Sequence, residues 1–153
     1  MSIIISNNIF IKPKRFVNKV FLHCSANSNP KWGINELRES HLARGFSDIG
    51  YHYFIDFEGN LFKCRPLEKI PAAQKGYNTG SIAICLHGGQ NNKDDFTKEQ
   101  HKTLAELCEY INNVYENKIT FHGHCEVDEH KFCPVFDYQQ ILNLVDSYLI
   151  KIC

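Results

Sequence analysis

The sequence predicts a single α/β domain with a central mixed β-sheet flanked by helices. Short apolar runs that are typical of buried strands alternate along the chain with segments of helical periodicity, and this alternation indicates an α/β fold. A length of 153 residues is that of one ordinary domain. No internal repeat, low-complexity tract or long linker divides the sequence, so we expect one hydrophobic core.

The strands are predicted from short runs of apolar and β-branched residues. Residues 20–23 (VFLH) and 81–87 (SIAICLH) have the composition of buried strands, and residues 119–122 form a further short one. Residues 52–64 predict a β-hairpin, because strand-forming segments flank the turn residues 58–60 (EGN).

Three helices are predicted from apolar periodicity and from capping residues. Residues 34–44 form the first, and Gly45 follows as a stop signal. Thr97 and Gln100 form a capping box before the second, whose apolar face is Leu104, Leu107, Cys108, Ile111 and Val114. A similar capping pattern at residues 137–140 opens a terminal helix with apolar residues at Ile141, Leu142, Val145, Tyr148 and Leu149.

The charge balance excludes several classes of partner. Lys plus Arg and Asp plus Glu number 17 each, so the chain has no net charge to attract nucleic acid or an anionic membrane. No stretch reaches the roughly 20 apolar residues of a membrane helix. The lysines near the N-terminus follow the apolar residues, which is the reverse of a secretory signal. We therefore expect a protein that is made and folded in the cytoplasm. We also expect a monomer, although no sequence pattern determines the oligomeric state.

The seven cysteines form no CxxC pair, so neither a zinc ribbon nor a thioredoxin motif is present. In a reducing cytoplasm most should be free, buried thiols. Cys24 and Cys85, at or within predicted strands, are also candidate nucleophiles of a thiol hydrolase. A buried thiol explains each of them equally well.

A candidate metal site lies in residues 122–134 (HGHCEVDEHKFCP), which follow a predicted strand. Zinc prefers imidazole and thiolate ligands, and a catalytic site uses three protein ligands and leaves the fourth position for water. His124 and Cys133 offer two ligands from this loop. His23, at the end of a separate strand, offers a third, because neighbouring strands bring their ends together.

Other interpretations of these residues stay open at this point. His23 can be a hydrogen-bonded histidine at a strand end, and Cys133 a small buried hydrophobic residue. A structural zinc site would need a fourth ligand, for which Cys125 and His130 are candidates. Glu126 can orient a ligand histidine or face solvent.

Seven short segments together carry a recognisable pattern. In order they are VFLHCSA from Val20, DIGYHYFID from Asp48, EGN from Glu58, KGYN from Lys75, SIAICLHGG from Ser81, HCEV from His124 and KFCPVFD from Lys131. With these segments the chain resembles the type 2 N-acetylmuramoyl-L-alanine amidases, which include T7-type phage lysozymes, and the related peptidoglycan recognition proteins. The segments HCSA, KGYN and CPVFD carry the likeness to the phage lysozymes.

The resemblance implies a fold, a reaction and a set of site residues. The fold is a mixed sheet flanked by helices, with Zn²⁺ in a surface cleft held by His23, His124 and Cys133. Tyr51 and Lys131 match the catalytic tyrosine and lysine of the family. The implied reaction is hydrolysis of the amide bond between N-acetylmuramic acid and L-alanine in peptidoglycan or muropeptides, as in a phage or prophage endolysin that reaches the wall after release or export. The alternative is a non-catalytic module that only binds peptidoglycan.

The resemblance also leaves some positions with two interpretations. Asn78, in KGYN, either lines the substrate cleft or forms a turn. The family often has a histidine where this chain has Ala73, and the loop between the second and third zinc ligands is one residue longer than in the phage enzymes. Residues 1–19 have no clear counterpart, so we predict an N-terminal extension over 1–19 and a zinc amidase domain over 20–153.

Overall fold

A five-stranded mixed sheet forms the centre of the protein, as the sequence predicts. The structure, a computed structural model, describes residues 9–140. The strands are β1 (Lys19–Cys24), β2 (Tyr53–Ile55), β3 (Leu61–Lys63), β4 (Ser81–Leu86) and β5 (Thr120–Gly123). Their order across the sheet is β3-β2-β4-β1-β5. The pairs β2·β4, β4·β1 and β1·β5 are parallel, and the predicted hairpin supplies an antiparallel pair, β2·β3.

Two α-helices in the described residues pack on opposite faces of the sheet. They are α1 (Ile34–Ala43) and α2 (Lys98–Val114). The predicted capping box begins α2: the backbone N–H of Gln100 donates to Thr97 Oγ1 at 3.1 Å, and the Thr97 N–H donates to Gln100 Oε1 at 2.9 Å. These two bonds satisfy donors that the first helical turn otherwise leaves unpaired.

Side chains alternate between the two faces of the sheet, so the core forms two clusters, one on the side of each helix. Val20 and Leu22 of β1 belong to the larger cluster, which includes Leu104 and Leu107 of α2. A smaller cluster on the other face contains Leu37 of α1 with other apolar side chains, among them Ile49, Phe54 and Cys85. Successive strand residues face opposite sides of a sheet. The side chain of His23, which follows Leu22, therefore points towards the α1 face.

The two ends of the chain are only partly described. Gln140 N–H donates to Asp137 Oδ1 at 3.2 Å and residues 138–140 are helical, but the body of the predicted terminal helix lies outside the described residues. Phe10 and Val17 are buried in the larger cluster. The division of the chain at residue 19 stays a prediction. Within residues 9–140, no helix has the length and apolarity needed to cross a membrane.

Candidate metal centre

Parallel strand pairing brings the two predicted ligand histidines together. In the β1·β5 register Leu22 pairs with Gly123, so His23 and His124 follow at the same edge of the sheet. Neighbouring parallel strands end at one edge, and side chains at matching positions lie side by side. The two imidazole rings have centroids 4.7 Å apart.

The loop after β5 brings the thiol of Cys133 close to the two histidines. The backbone N–H of Cys125 donates to the Cys133 carbonyl at 2.8 Å, which closes the loop. Cys133 Sγ accepts from the backbone N–H of Cys24 at 3.2 Å and lies 3.7 Å from His23 Nδ1. The Cys24 side chain and burial raise the pKa of the Cys133 thiol, and the Cys24 N–H opposes this shift. Metal binding requires the thiolate, so it would displace the thiol proton.

The three side chains meet the requirements of a zinc site. The candidate ligand atoms of His23, His124 and Cys133 all lie within 4.8 Å of one another. Tetrahedral zinc, with bonds of about 2.3 Å to sulfur and about 2.0 Å to nitrogen, separates two such ligand atoms by about 3.5 Å. The 3.7 Å between Cys133 Sγ and His23 Nδ1 is close to that separation. Two imidazoles and one thiolate grouped this closely form a donor set of the kind that holds Zn²⁺.

Both histidines are neutral at pH 7 in this environment. Burial, followed by the nearby His124, lowers the pKa of His23 to about 3, although the Gln74 side chain opposes the shift. Burial also lowers the pKa of His124, with Asp128 opposing and Lys131 reinforcing the effect. A neutral imidazole keeps a lone pair for a metal ion, so both rings are in the binding form.

A cleft of about 610 Å³ is lined by His124 and Cys133, whereas His23 is buried beside them. Tyr51 and Lys131 both line it. The Tyr51 ring packs against His23 at 5.1 Å between centroids, and desolvation raises its pKa well above the usual value. Its hydroxyl is therefore protonated at neutral pH and can donate a hydrogen bond. Lys131 is exposed in the loop, where its backbone N–H donates to the Asp128 carbonyl at 3.0 Å.

Asn78 performs the turn-forming role that the sequence left open. Its Oδ1 accepts from the backbone N–H groups of Ala73 and Gln74, at 3.0 and 2.9 Å. Asn78 is not among the residues that line the cleft, whereas Ala73 is. Its predicted contact with substrate stays a prediction that these bonds do not support.

The remaining candidate ligands lie outside the cluster. Among the described residues, neither Cys125 nor His130 joins the three ligand atoms. Glu126 accepts from the Gly123 N–H and the Tyr138 hydroxyl, each at 2.7 Å, and pairs with His122. It therefore orders the start of the loop. The described cysteines are all free thiols.

A thiol nucleophile is poorly supported at Cys85. This side chain is fully buried in β4, and burial raises the pKa of its thiol well above the ordinary value. A reactive cysteine needs an accessible thiolate. Cys24 lines the cleft, and a hydrogen bond with the Cys133 side chain lowers the pKa of its thiol, so Cys24 stays a candidate nucleophile.

The sequence analysis missed two residues that the structure brings to the site. Gln74 is fully buried and its Oε1 lies 2.8 Å from His23 Nε2. His41 lines the cleft against Tyr51 and accepts from the Gly50 N–H through Nδ1 at 2.8 Å. Neither residue has a local sequence signal, since one lies in a turn and the other on a weakly amphipathic helix.

Comparison with known families agrees with this geometry. Residues 13–136 match the N-acetylmuramoyl-L-alanine amidase family. The chain belongs to this family. The amidase is 33% identical to the endolysin of Escherichia phage T7 over 134 residues, which cover 84% of this chain and 87% of that protein. The endolysin of Enterobacteria phage T3 matches with the same identity and coverage.

Solved structures share the fold of the amidase. The N-acetylmuramoyl-L-alanine amidase LysC from Clostridium intestinale superposes with a TM-score of 0.78 at 26% identity, over 86% of this chain and 87% of that one. Drosophila PGRP-LB superposes with a TM-score of 0.67 at 23% identity, over 81% and 78% of the two chains. The predicted fold class and family are thus confirmed.

Proposed function

We propose that this amidase is a zinc-dependent endolysin that hydrolyses the amide bond between N-acetylmuramic acid and L-alanine in peptidoglycan. One observation carries the proposal: His23, His124 and Cys133 converge, and two of them, His124 and Cys133, line an open cleft. Three protein ligands leave a coordination position for water, which distinguishes a catalytic zinc site from a closed structural one. The names of the phage relatives support the lytic role.

His23, His124 and Cys133 would hold the zinc, and the ligand set supports hydrolysis. Bound zinc supplies Lewis acidity, which acidifies a water molecule and polarises an amide carbonyl. The thiolate of Cys133 offsets one of the two positive charges of the ion. The histidines add no charge, because both are neutral at pH 7.

Tyr51 would act as a hydrogen-bond donor beside the reacting amide. Its ring packs against His23 and lines the cleft, and its raised pKa keeps the proton on the hydroxyl. A donor that is fixed in place before reaction stabilises negative charge that develops on oxygen in the transition state. Tyr51 would therefore orient the attacking water or bind the tetrahedral intermediate.

Lys131 would stabilise the same developing charge from the loop. It lines the cleft two residues before Cys133, so ligand and ammonium group belong to one short segment. The loop is held by the Lys131–Asp128 backbone bond and by the Cys125–Cys133 bond. Positive charge near the oxyanion lowers the barrier to amide hydrolysis.

The proposal is tested by mass spectrometry of muropeptide digests. Purified muropeptides that contain the N-acetylmuramoyl–L-alanine bond are incubated with protein stripped of metal by a chelator, and with the same protein after addition of one equivalent of Zn²⁺. We expect separate sugar and peptide products, with new L-alanine amino termini, only after zinc is restored. Iodoacetamide added to the zinc-loaded protein serves as the control for a thiol nucleophile.

Each result of this experiment has a definite meaning. Bound zinc without cleavage would support a recognition module instead of an enzyme. Cleavage by the stripped protein that alkylation alone abolishes would support a cysteine nucleophile. Products split at any other bond would contradict the proposed specificity.

A further inference from the structure

We propose that Gln74 is a positioning residue that holds His23 in the tautomer that presents Nδ1 to the zinc. The inference rests on the proposed function, since it concerns a ligand of the proposed ion. Gln74 does not contact the cleft; it acts through His23. Its Oε1 lies 2.8 Å from His23 Nε2, and both side chains are buried.

The hydrogen-bond network determines which way the Gln74 amide faces. The amide nitrogen donates to Ser81 Oγ at 2.7 Å and lies 3.4 Å from the Tyr77 carbonyl oxygen. The Ser81 hydroxyl donates its own proton to the Asn78 carbonyl at 2.8 Å, so towards Gln74 it can only accept. A carbonyl oxygen is likewise an acceptor only. Both partners require the NH₂ group on their side, and the amide oxygen must face His23.

The tautomer of His23 follows from the direction of this amide. An amide oxygen accepts and cannot donate, so the short contact requires a proton on Nε2. A neutral imidazole with a proton on Nε2 has its lone pair on Nδ1. Nδ1 is the atom that lies 3.7 Å from Cys133 Sγ, on the side of the ligand cluster. Ligand histidines commonly donate their other N–H to an oxygen in this way.

The turn that carries Gln74 is held in place by several backbone contacts. Asn78 Oδ1 accepts from the Gln74 N–H, and the Tyr77 N–H donates to the Gln74 carbonyl at 2.9 Å. The Ala72 N–H donates to the Gly50 carbonyl at 3.0 Å. A Cβ at Gly50 would collide with the Ala72 carbonyl, so the glycine permits this close approach. A fixed turn lets Gln74 limit rotation of the His23 ring.

The test compares zinc affinity in variants of two buried glutamines. Gln74→Met removes the acceptor at similar volume, and we expect the zinc dissociation constant, measured by chelator competition, to rise about 10- to 100-fold. Gln74→Glu keeps an acceptor oxygen towards His23 and should bind zinc more tightly than Gln74→Met. Gln100→Met is the matched control, because Gln100 is equally buried but bonds Ile55 and His87 carbonyls away from the ligands. It should lower thermal stability and leave zinc affinity unchanged.

A second measurement needs no variant. In the zinc-free protein at neutral pH, ring ¹⁵N shifts of His23 should report the tautomer protonated on Nε2. A proton on Nδ1, or wild-type zinc affinity in Gln74→Met, would overturn the positioning role while leaving the proposed function intact. Wild-type protein that binds no zinc would instead overturn the proposed function and this inference together.

Discussion

A Cys133→Ala variant is expected to lose bound zinc and to hydrolyse muropeptides at least about a thousandfold more slowly than the wild type. Cys133 supplies the only anionic ligand of the proposed set, and its sulfur lies against His23 Nδ1. Two neutral imidazoles alone hold a divalent cation weakly, and water that is not acidified by a metal is a poor nucleophile at neutral pH. Zinc content after gel filtration and initial rates of amide cleavage measure the two losses.

The matched control for this variant is Cys125→Ala. Cys125 belongs to the same loop and is also a free thiol, but its side chain lies outside the ligand cluster. We expect it to keep both zinc and activity. If Cys125→Ala loses activity and Cys133→Ala keeps it, then Cys125 is the functional thiol of the loop. That result would contradict the proposed ligand set.

The second large effect is expected at Lys131. A Lys131→Met variant should bind zinc normally but lose about a hundredfold to a thousandfold in kcat, the usual cost of removing one oxyanion-stabilising group. KM should change little, because the group acts mainly on charge that appears in the transition state. Steady-state kinetics on a defined muropeptide, with zinc content measured in parallel, separates this effect from metal loss.

Two further variants make the Lys131 result specific. Lys131→Arg keeps the positive charge and should retain more activity than Lys131→Met. Lys102→Met removes a lysine from the exposed side of α2 and controls for the change in net charge. Full activity in Lys131→Met would remove this residue from the mechanism. A higher KM with unchanged kcat would instead give Lys131 a role in substrate binding.

Most of the fold could be predicted because its signals are local. The apolar run of β1, the capping box at Thr97 and Gln100, and the turn of the β2·β3 hairpin each lie within a few residues. The parallel register of β1 and β5, which places His124 beside His23, is not local. Strand ends offered the meeting of the two histidines as one possibility, and the resemblance, whose seven segments include both, made it an expectation.

The supporting interactions could not be predicted, because they depend on tertiary packing. Gln74 meets His23 across 51 positions of sequence, and only the fold determines that its side chain turns inward. Asn78 in the KGYN segment was open to two interpretations, and the observed bonds to the turn backbone favour one of them. Phe10 lies in a segment without periodicity, so nothing in the sequence signalled its burial beside α2.

The central claim is that one zinc ion is held by His23, His124 and Cys133 with a position left for solvent. Anomalous diffraction from crystals of the zinc-loaded amidase, recorded on both sides of the zinc absorption edge, tests it most directly. We predict one strong anomalous peak bonded to two imidazole nitrogens and the Cys133 sulfur, with a water molecule as the fourth ligand. A peak elsewhere, four protein ligands, or full cleavage activity in crystals and solution without any zinc would contradict the account.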